Sequence, residues 1–187
     1  AELANQMHAA GCVGINFGVD NGDAGMLERL GRSFTPGDIL AAAKHCRDHG
    51  IVTMFDLLLG SPGETRESLR TTIDLMKTAM PDRVGVSVGL RVYPGTPLAR
   101  TLRAGSPVPG LMGGRSPIDP LLFLEPAVAD AMNDWIREWI DGDPRFLFFD
   151  PESDKNYNYN ANTTLVEAIG KGYRGAYWDI LRRIDTE

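Results

Sequence analysis

Three apolar runs of strand length, at 13–19, 51–59 and 84–92, recur along the first half of the chain, with a helix-periodic segment between each run and the next. Their starts lie roughly 30 or more residues apart, the length of a strand–helix–strand unit. The run 51–59 is apolar except at Thr53 and Asp56. A half-exposed strand would alternate, so this continuity marks a strand buried on both faces of a parallel sheet. Successive units of this kind close into an α/β barrel or open into a doubly wound sheet. In either architecture ligands meet the chain at the C-terminal ends of the strands, and polar residues at those ends carry the functional argument.

Local signals support the units. Residues 1–10 place Leu3, Met7 and Ala10 at helical spacing, and Gly11 follows as a stop. The chain opens inside this helix without an initiator Met or a capping residue, which predicts a piece of a longer protein. Thr35-Pro36-Gly37-Asp38 supplies a capping hydroxyl, a proline at the first helical position and an acid at the third. Ile39, Ala42, Ala43 and Cys46 then form the buried stripe, and Gly50 ends the helix. After Gly60-Ser61-Pro62-Gly63, a third helix carries Leu69, Ile73 and Met76 and stops before Pro81. Beyond residue 104 the composition shifts. Residues 104–120, rich in Gly and Pro, predict a long loop. A helix is expected over 126–141, with Val128, Met132, Trp135 and Trp139 on one face, then an apolar run at 146–149. A polar, aromatic stretch containing YNYNAN leads to a final helical region with Leu165, Ala168, Ile169 and then Trp178, Ile180, Leu181 and Ile184.

Charge and composition narrow the function classes. A net charge of −6 over 187 residues argues against a broad nucleic-acid face, which is usually basic. No run approaches the ~20 apolar residues of a membrane span, and no secretory leader pattern opens the chain, so a cytoplasmic location is expected. Cys12 and Cys46 are isolated in apolar contexts and read as packed core residues. His45 and His49 have a spacing that can place two ligands on one helix face, but no HExxH or third ligand accompanies them. They read as a solvated face, and no metal site is expected within the chain.

Three segments at strand ends have chemistry to offer. In GVDNGD, residues 18–23, Asp20 and Asp23 are placed either to accept ligand hydroxyls or simply to make a turn. In FDLLLGSPGET, residues 55–65, Asp56 is an acid within an apolar strand, which is costly unless a donor or ligand partners it. The glycines that follow let the backbone approach a ligand or turn sharply. In RVYPGTPLA, residues 91–99, Thr96 and Pro97 fit an N-cap and first helical residue, a structural turn.

Taken together, GVDNGD, LERLGRSFT at 27–35, FDLLLGSPGET and YPGTPLA resemble, in order and separation, the second half of the catalytic domain of radical S-adenosylmethionine (SAM) proteins. The likeness covers about residues 9–102 and is strongest to the group that also carries an N-terminal cobalamin-binding domain. Similar strings, with Gln, Glu or Asp at position 20, occur in oxygen-independent coproporphyrinogen oxidases and methylthiotransferases. The resemblance implies a partial parallel (β/α) barrel of radical SAM type over 1–104 and a mainly helical C-terminal extension over 105–187. It implies that Asp20 lies near the SAM ribose or methionine moiety, that Arg32 reaches toward the SAM carboxylate, and that Asp56 lies close to bound SAM. Arg32 as a surface cation at a helix end stays open as an alternative. In the extension, Tyr157, Asn158 and Asn160 are candidates to close over the barrel mouth and touch a small-molecule substrate, with Tyr159 and Arg174 beside them; packing is the competing reading, and for the aromatics the favoured one.

The sequence departs from the family's pattern in one respect. Family members hold a [4Fe–4S] cluster through CxxxCxxC, and this chain has no such motif. The cluster ligands and the cobalamin-binding domain are therefore expected in a missing N-terminal part of the same protein, and the polypeptide as given is not expected to cleave SAM. The resemblance implies a SAM-dependent enzyme that generates a 5′-deoxyadenosyl radical, with cobalamin as a further cofactor and methyl transfer or related C–H functionalisation as the reaction. A non-catalytic half-barrel or binding module is the competing reading. A β/α-barrel lyase or aldolase would need a Schiff-base lysine at a strand end, and none is there.

Overall fold

The computed structural model describes residues 1–103, 108–114, 120–148 and 162–184. The first half runs α1 (Glu2–Ala9), β1 (Gly14–Asp20), α2 (Ala24–Arg29), α3 (Pro36–Asp48), β2 (Val52–Leu59), α4 (Arg66–Ala79) and β3 (Arg83–Val88). Its two longest helices begin with reciprocal capping boxes. Thr35 accepts from the Asp38 backbone and Asp38 accepts from the Thr35 backbone; Thr65 and Ser68 do the same for α4. Each box satisfies two otherwise orphaned N–H groups and fixes where the helix leaves the preceding loop.

β4 (Leu90–Arg91), α5 (Pro97–Arg103), β5 (Leu111–Gly113), β6 (Leu121–Phe123), α6 (Met132–Ile140), β7 (Phe146–Phe148), α7 (Thr163–Gly170) and α8 (Tyr177–Ile184) follow. The main sheet has the order β1-β2-β3-β7, and all three pairings are parallel. The expected α/β architecture of parallel strands joined by crossover helices is what the chain adopts.

Register assigns the two faces of this sheet. Phe55, Leu57 and Leu59 of β2 pair with Val84, Val86 and Val88 of β3, and these odd rows pack with Ile39 and Ala43 of α3, Leu69, Ile73 and Met76 of α4, and Met132, Ile136 and Trp139 of α6. Leu69, Ile73 and Met76 are fully buried, and each such side chain contributes about 1.5–3 kcal/mol of transfer free energy. On the opposite face Met54 and Leu147 pack against Trp178 of α8. Trp178 also lies over Gly14, where an added Cβ would stand 3.2 Å from its ring. The last helix thus floors the inner face near the N-terminal ends of the strands, while Gly18 and Ser87, toward the C-terminal ends, are not buried.

Three expectations need correction. The run 84–92 is two strands: Gly89, at φ +84°, turns the chain out of the parallel sheet, and β4 joins β6 and β5 in a separate antiparallel sheet. That sheet packs on α5 through Val92, Ala99, Leu102 and Phe123. The stretch 104–120 is accordingly more than a loop, since it contains β5. The helix expected over 126–141 begins at Met132, because 126–131 form successive tight turns in which Val128 bonds back to Glu125 and Ala131 to Val128. Val128 is nonetheless buried with Met132 and Trp139 of the expected stripe, and Trp135 packs half-buried against them. Residues 24–29 form a helix that went unread because it is short; Asp23 caps it by accepting from the Met26 N–H at 2.9 Å.

Candidate functional site

β1 ends in a turn that places a carboxylate. Asp20 has φ +62°, and the Asn21 N–H bonds back to the Val19 carbonyl at 2.8 Å across it, a three-residue γ-turn in its rare positive-φ form. The Asp20 side chain is buried, and Arg32, just beyond α2, reaches it with both Nε and Nη2 on Oδ2. Arg32 itself stays partly exposed. A charged pair at a strand end with one accessible partner is suited to a ligand that carries both a carboxylate and hydroxyls.

Asp56 projects from β2 onto the inner face, in the row Gly18, Asp56, Gly85, Leu147. Asn16 of β1 donates to its Oδ2 at 2.8 Å, and among the described residues no donor reaches Oδ1. The glycine opposite is what makes room: a Cβ at Gly85 would lie 2.5 Å from Asp56 Oδ1 and 2.6 Å from Met54 Cε. Burial pushes the Asp56 carboxyl above its usual range; the Asn16 hydrogen bond opposes the shift and the nearby Asp20 charge adds to it. Asp56 is therefore a half-buried acceptor with one oxygen held and one open to the inner face.

A buried polar cluster, which the sequence reading did not single out, ties the loops after β1 and β2 together. Glu64 is 1% exposed, and its carboxylate accepts from the Asn21 amide at 3.2 and 3.3 Å, the Ser68 hydroxyl at 2.6 Å and the Gly60 N–H at 3.3 Å. Burial raises its pKa, and these hydrogen bonds work against the rise. Asn21 in turn accepts from Thr72 at 2.8 Å and from the Asp23 N–H at 2.9 Å. The signal was present in FDLLLGSPGET, whose Glu stands immediately after a glycine turn, but a charged residue next to Thr65 reads locally as helix-start chemistry. From the other side Glu125, after β6, accepts from the Gly63 N–H at 2.7 Å, and its own N–H bonds the Gly60 carbonyl at 2.9 Å.

The structure thus brings Asp20 and Arg32 into contact and sets Asp56 on the neighbouring strand. Tyr157, Asn158 and Asn160 lie outside the described residues. Thr96 caps α5 by accepting from the Ala99 N–H at 3.2 Å, the structural role its turn suggested. Cys46 is buried among Ala4 and Ile51, with Cys12 half-buried beside them. His49 bonds the His45 carbonyl at 2.8 Å through Nδ1. Among the described residues no three His, Cys, Asp or Glu side chains group so as to hold a metal ion, and no helix is long and apolar enough to cross a membrane.

Known proteins share parts of this sequence and this fold. Residues 1–76 match the family model for the radical SAM superfamily. That match takes in 76 of the chain's 187 residues. Tryptophan 2-C-methyltransferase of Streptomyces laurentii is 35% identical over 107 residues, which cover 54% of the chain and 18% of that protein. The radical SAM methyltransferase TsrM from Kitasatospora setae, solved with its tryptophan substrate and a SAM analogue bound, superposes with TM-score 0.85 at 26% identity, covering 99% of the chain and 42% of TsrM. A second structure of TsrM, with cobalamin and a [4Fe–4S] cluster bound, has the same fold, with TM-score 0.82 at 24% identity over 99% of the chain and 42% of TsrM. The chain spans less than half the length of these radical SAM relatives. Its two thiols, one in α3 and the other in the loop before β1, do not supply the closely spaced set a radical SAM cluster takes.

Proposed function

We propose that this chain forms the SAM-side wall of the catalytic domain of a cobalamin-dependent radical SAM methyltransferase that acts on a small molecule. The observation that carries the reading is the Asp20–Arg32 pair beside the open Oδ1 of Asp56, at the C-terminal ends of adjacent parallel strands in a chain that matches the superfamily's model. SAM, when bound, supplies the methyl group. The chain's own residues bind and orient it: Arg32 offers a guanidinium to the carboxylate, and Asp20 and Asp56 offer acceptors to the ribose hydroxyls or the ammonium group. Gly18 and Gly85 keep the inner face open beside them, and Trp178 closes the floor below. The cluster ligands are not on this chain, so no step of cluster chemistry is assigned to it.

The tryptophan methyltransferases among the relatives make an aromatic amino acid the first substrate to try, with Tyr157, Asn158 and Asn160 as its expected contacts. The test uses the natural gene product containing this chain, reconstituted anaerobically with iron, sulfide and cobalamin. Methyl label from SAM is expected to appear on the small molecule. Asp56→Ala is expected to weaken SAM binding by about tenfold or more, the loss of a hydrogen bond to a charged acceptor. Unchanged affinity would remove Asp56 from the site.

A further inference from the structure

We propose that Asn21 and Glu64 are positioning residues: a buried latch that holds the strained turn at Asp20 so that its carboxylate is aimed at SAM. The inference deepens the reading of Asp20 as a SAM contact and rests on it.

The turn needs holding. A non-glycine residue at positive φ is unfavourable, and positive-φ γ-turns are rare; such conformations persist where the surroundings over-determine them. At Asp20 the surroundings do so from three directions. Arg32 fixes the side chain. Gly22, directly after Asn21, donates its N–H to Thr72 Oγ1 at 2.9 Å and lies so close to α4 that a Cβ there would stand 2.9 Å from Thr72 Cα. Between them, Asn21 is fully buried, and both ends of its amide are used: Nδ2 donates to the two oxygens of Glu64, and Oδ1 accepts from Thr72. Glu64 is anchored independently, through Ser68 on α4 and the Gly60 N–H at the end of β2. The latch thus refers the turn after β1 to the rigid frame of β2 and α4.

Neither latch residue faces the inner surface, where the row Gly18, Asp56 and Gly85 lies, so an effect on SAM binding must pass through the backbone of Asp20. That separates a positioning role from direct contact and gives the test. Asn21→Asp is nearly isosteric and sets a carboxylate against the Glu64 oxygens in place of a donor. In the natural gene product containing this chain, SAM affinity measured by equilibrium dialysis is expected to fall about tenfold, within the range of couplings between contacting residues. Adding Glu64→Gln to Asn21→Asp returns one amide donor and one acceptor to the same gap, and affinity is expected to recover to within about threefold of the parent. In an Asp20→Ala background, Asn21→Asp should cost no further affinity. Thr72→Val, which at nearly constant volume removes both Asn21's second anchor and the acceptor of the Gly22 N–H, is expected to give an intermediate loss and serves if Asn21→Asp does not fold.

Loss of affinity in the Asp20→Ala background equal to that in the parent overturns the latch, because a general weakening of the fold would add in both. Failure of the double exchange to restore affinity, or an unchanged Thr72→Val, overturns it too. If Asp20→Ala alone leaves SAM affinity unchanged, the assignment of Asp20 fails first, and the inference falls with it.

Discussion

A single added methyl at Gly22 tests how tightly the site's first loop is seated. Alanine there would put its Cβ 2.9 Å from Thr72 Cα, 3.0 Å from Leu75 Cδ2 and 3.2 Å from Leu75 Cβ. Leu75 can adjust its side chain, but Thr72 Cα is backbone of α4, a helix pinned by the fully buried Leu69, Ile73 and Met76. The turn, not the helix, must therefore move, and in moving it loses the 2.9 Å bond from the Gly22 N–H to Thr72. Overpacking of this kind costs about 1–3 kcal/mol, and the hydrogen bond adds about 1 kcal/mol. The expected destabilisation of about 2–4 kcal/mol corresponds to a fall in Tm of about 4–16 °C for a domain of this size. Gly18→Ala, four residues earlier in β1, is the matched control: nothing lies within 4 Å of its added Cβ, and its φ is not positive. Its stability should stay within about 0.5 kcal/mol of the parent. Thermal unfolding followed by far-UV circular dichroism compares the two. A Gly22→Ala protein that melts with the parent, or a Gly18→Ala protein that loses as much, would refute the close-packed turn.

Asp56→Asn should trade function for stability in a pH-dependent way. Burial raises the folded-state pKa of Asp56, so between the unfolded value and the raised one the folded chain holds the extra proton. The parent's stability from this group is full at acid pH and falls as pH rises through that window. Urea titrations should therefore find the Asp56→Asn protein equal to the parent at acid pH and more stable than it at neutral pH, and an equal gap at both would contradict the burial. Trp178→Ala removes the floor of the inner face, where Met54 and Leu147 pack, and should cost about 3–5 kcal/mol in the same titrations at neutral pH. A loss below about 1 kcal/mol would mean that α8 does not support the sheet.

What the sequence made legible follows from where single residues carry their own signal. The largely apolar run of β2, the Thr35-Pro36-Gly37-Asp38 cap and the acid inside β2 each announce their structure locally: the strand and the capped helix form where expected, and the acid has the protein donor that its burial demands. β4 was hidden because a residue such as Gly89 can continue a strand or turn it, and only the distant partner β6 decides. The start of α6 was hidden because the spacing of Val128 and Met132 suits successive tight turns as well as a helix. Glu64 was hidden for a different reason. Its partners, Asn21 and Thr72, are not neighbours in sequence, and no periodicity links them.

That last case shows how position is enforced where the core ends. Helix packing fixes β1 to β3 through their odd rows, but it stops at the strand ends, and the loops beyond have little apolar surface to bury. A polar cluster can locate such loops only if it is complete, because a buried carboxylate left short of donors costs more than the same site built from apolar groups. Glu64 meets this condition by drawing donors from three segments: the turn after β1, the end of β2 and the first turn of α4. Withdrawal of any one segment leaves the carboxylate buried and under-satisfied, so the three hold one another. The Asp20 turn sits in this closure, and its strained conformation is maintained by interactions outside the ligand-facing surface. The carboxylate of Asp20 is thereby left to Arg32, and Asp56, held only by Asn16, takes no part in fixing the loops.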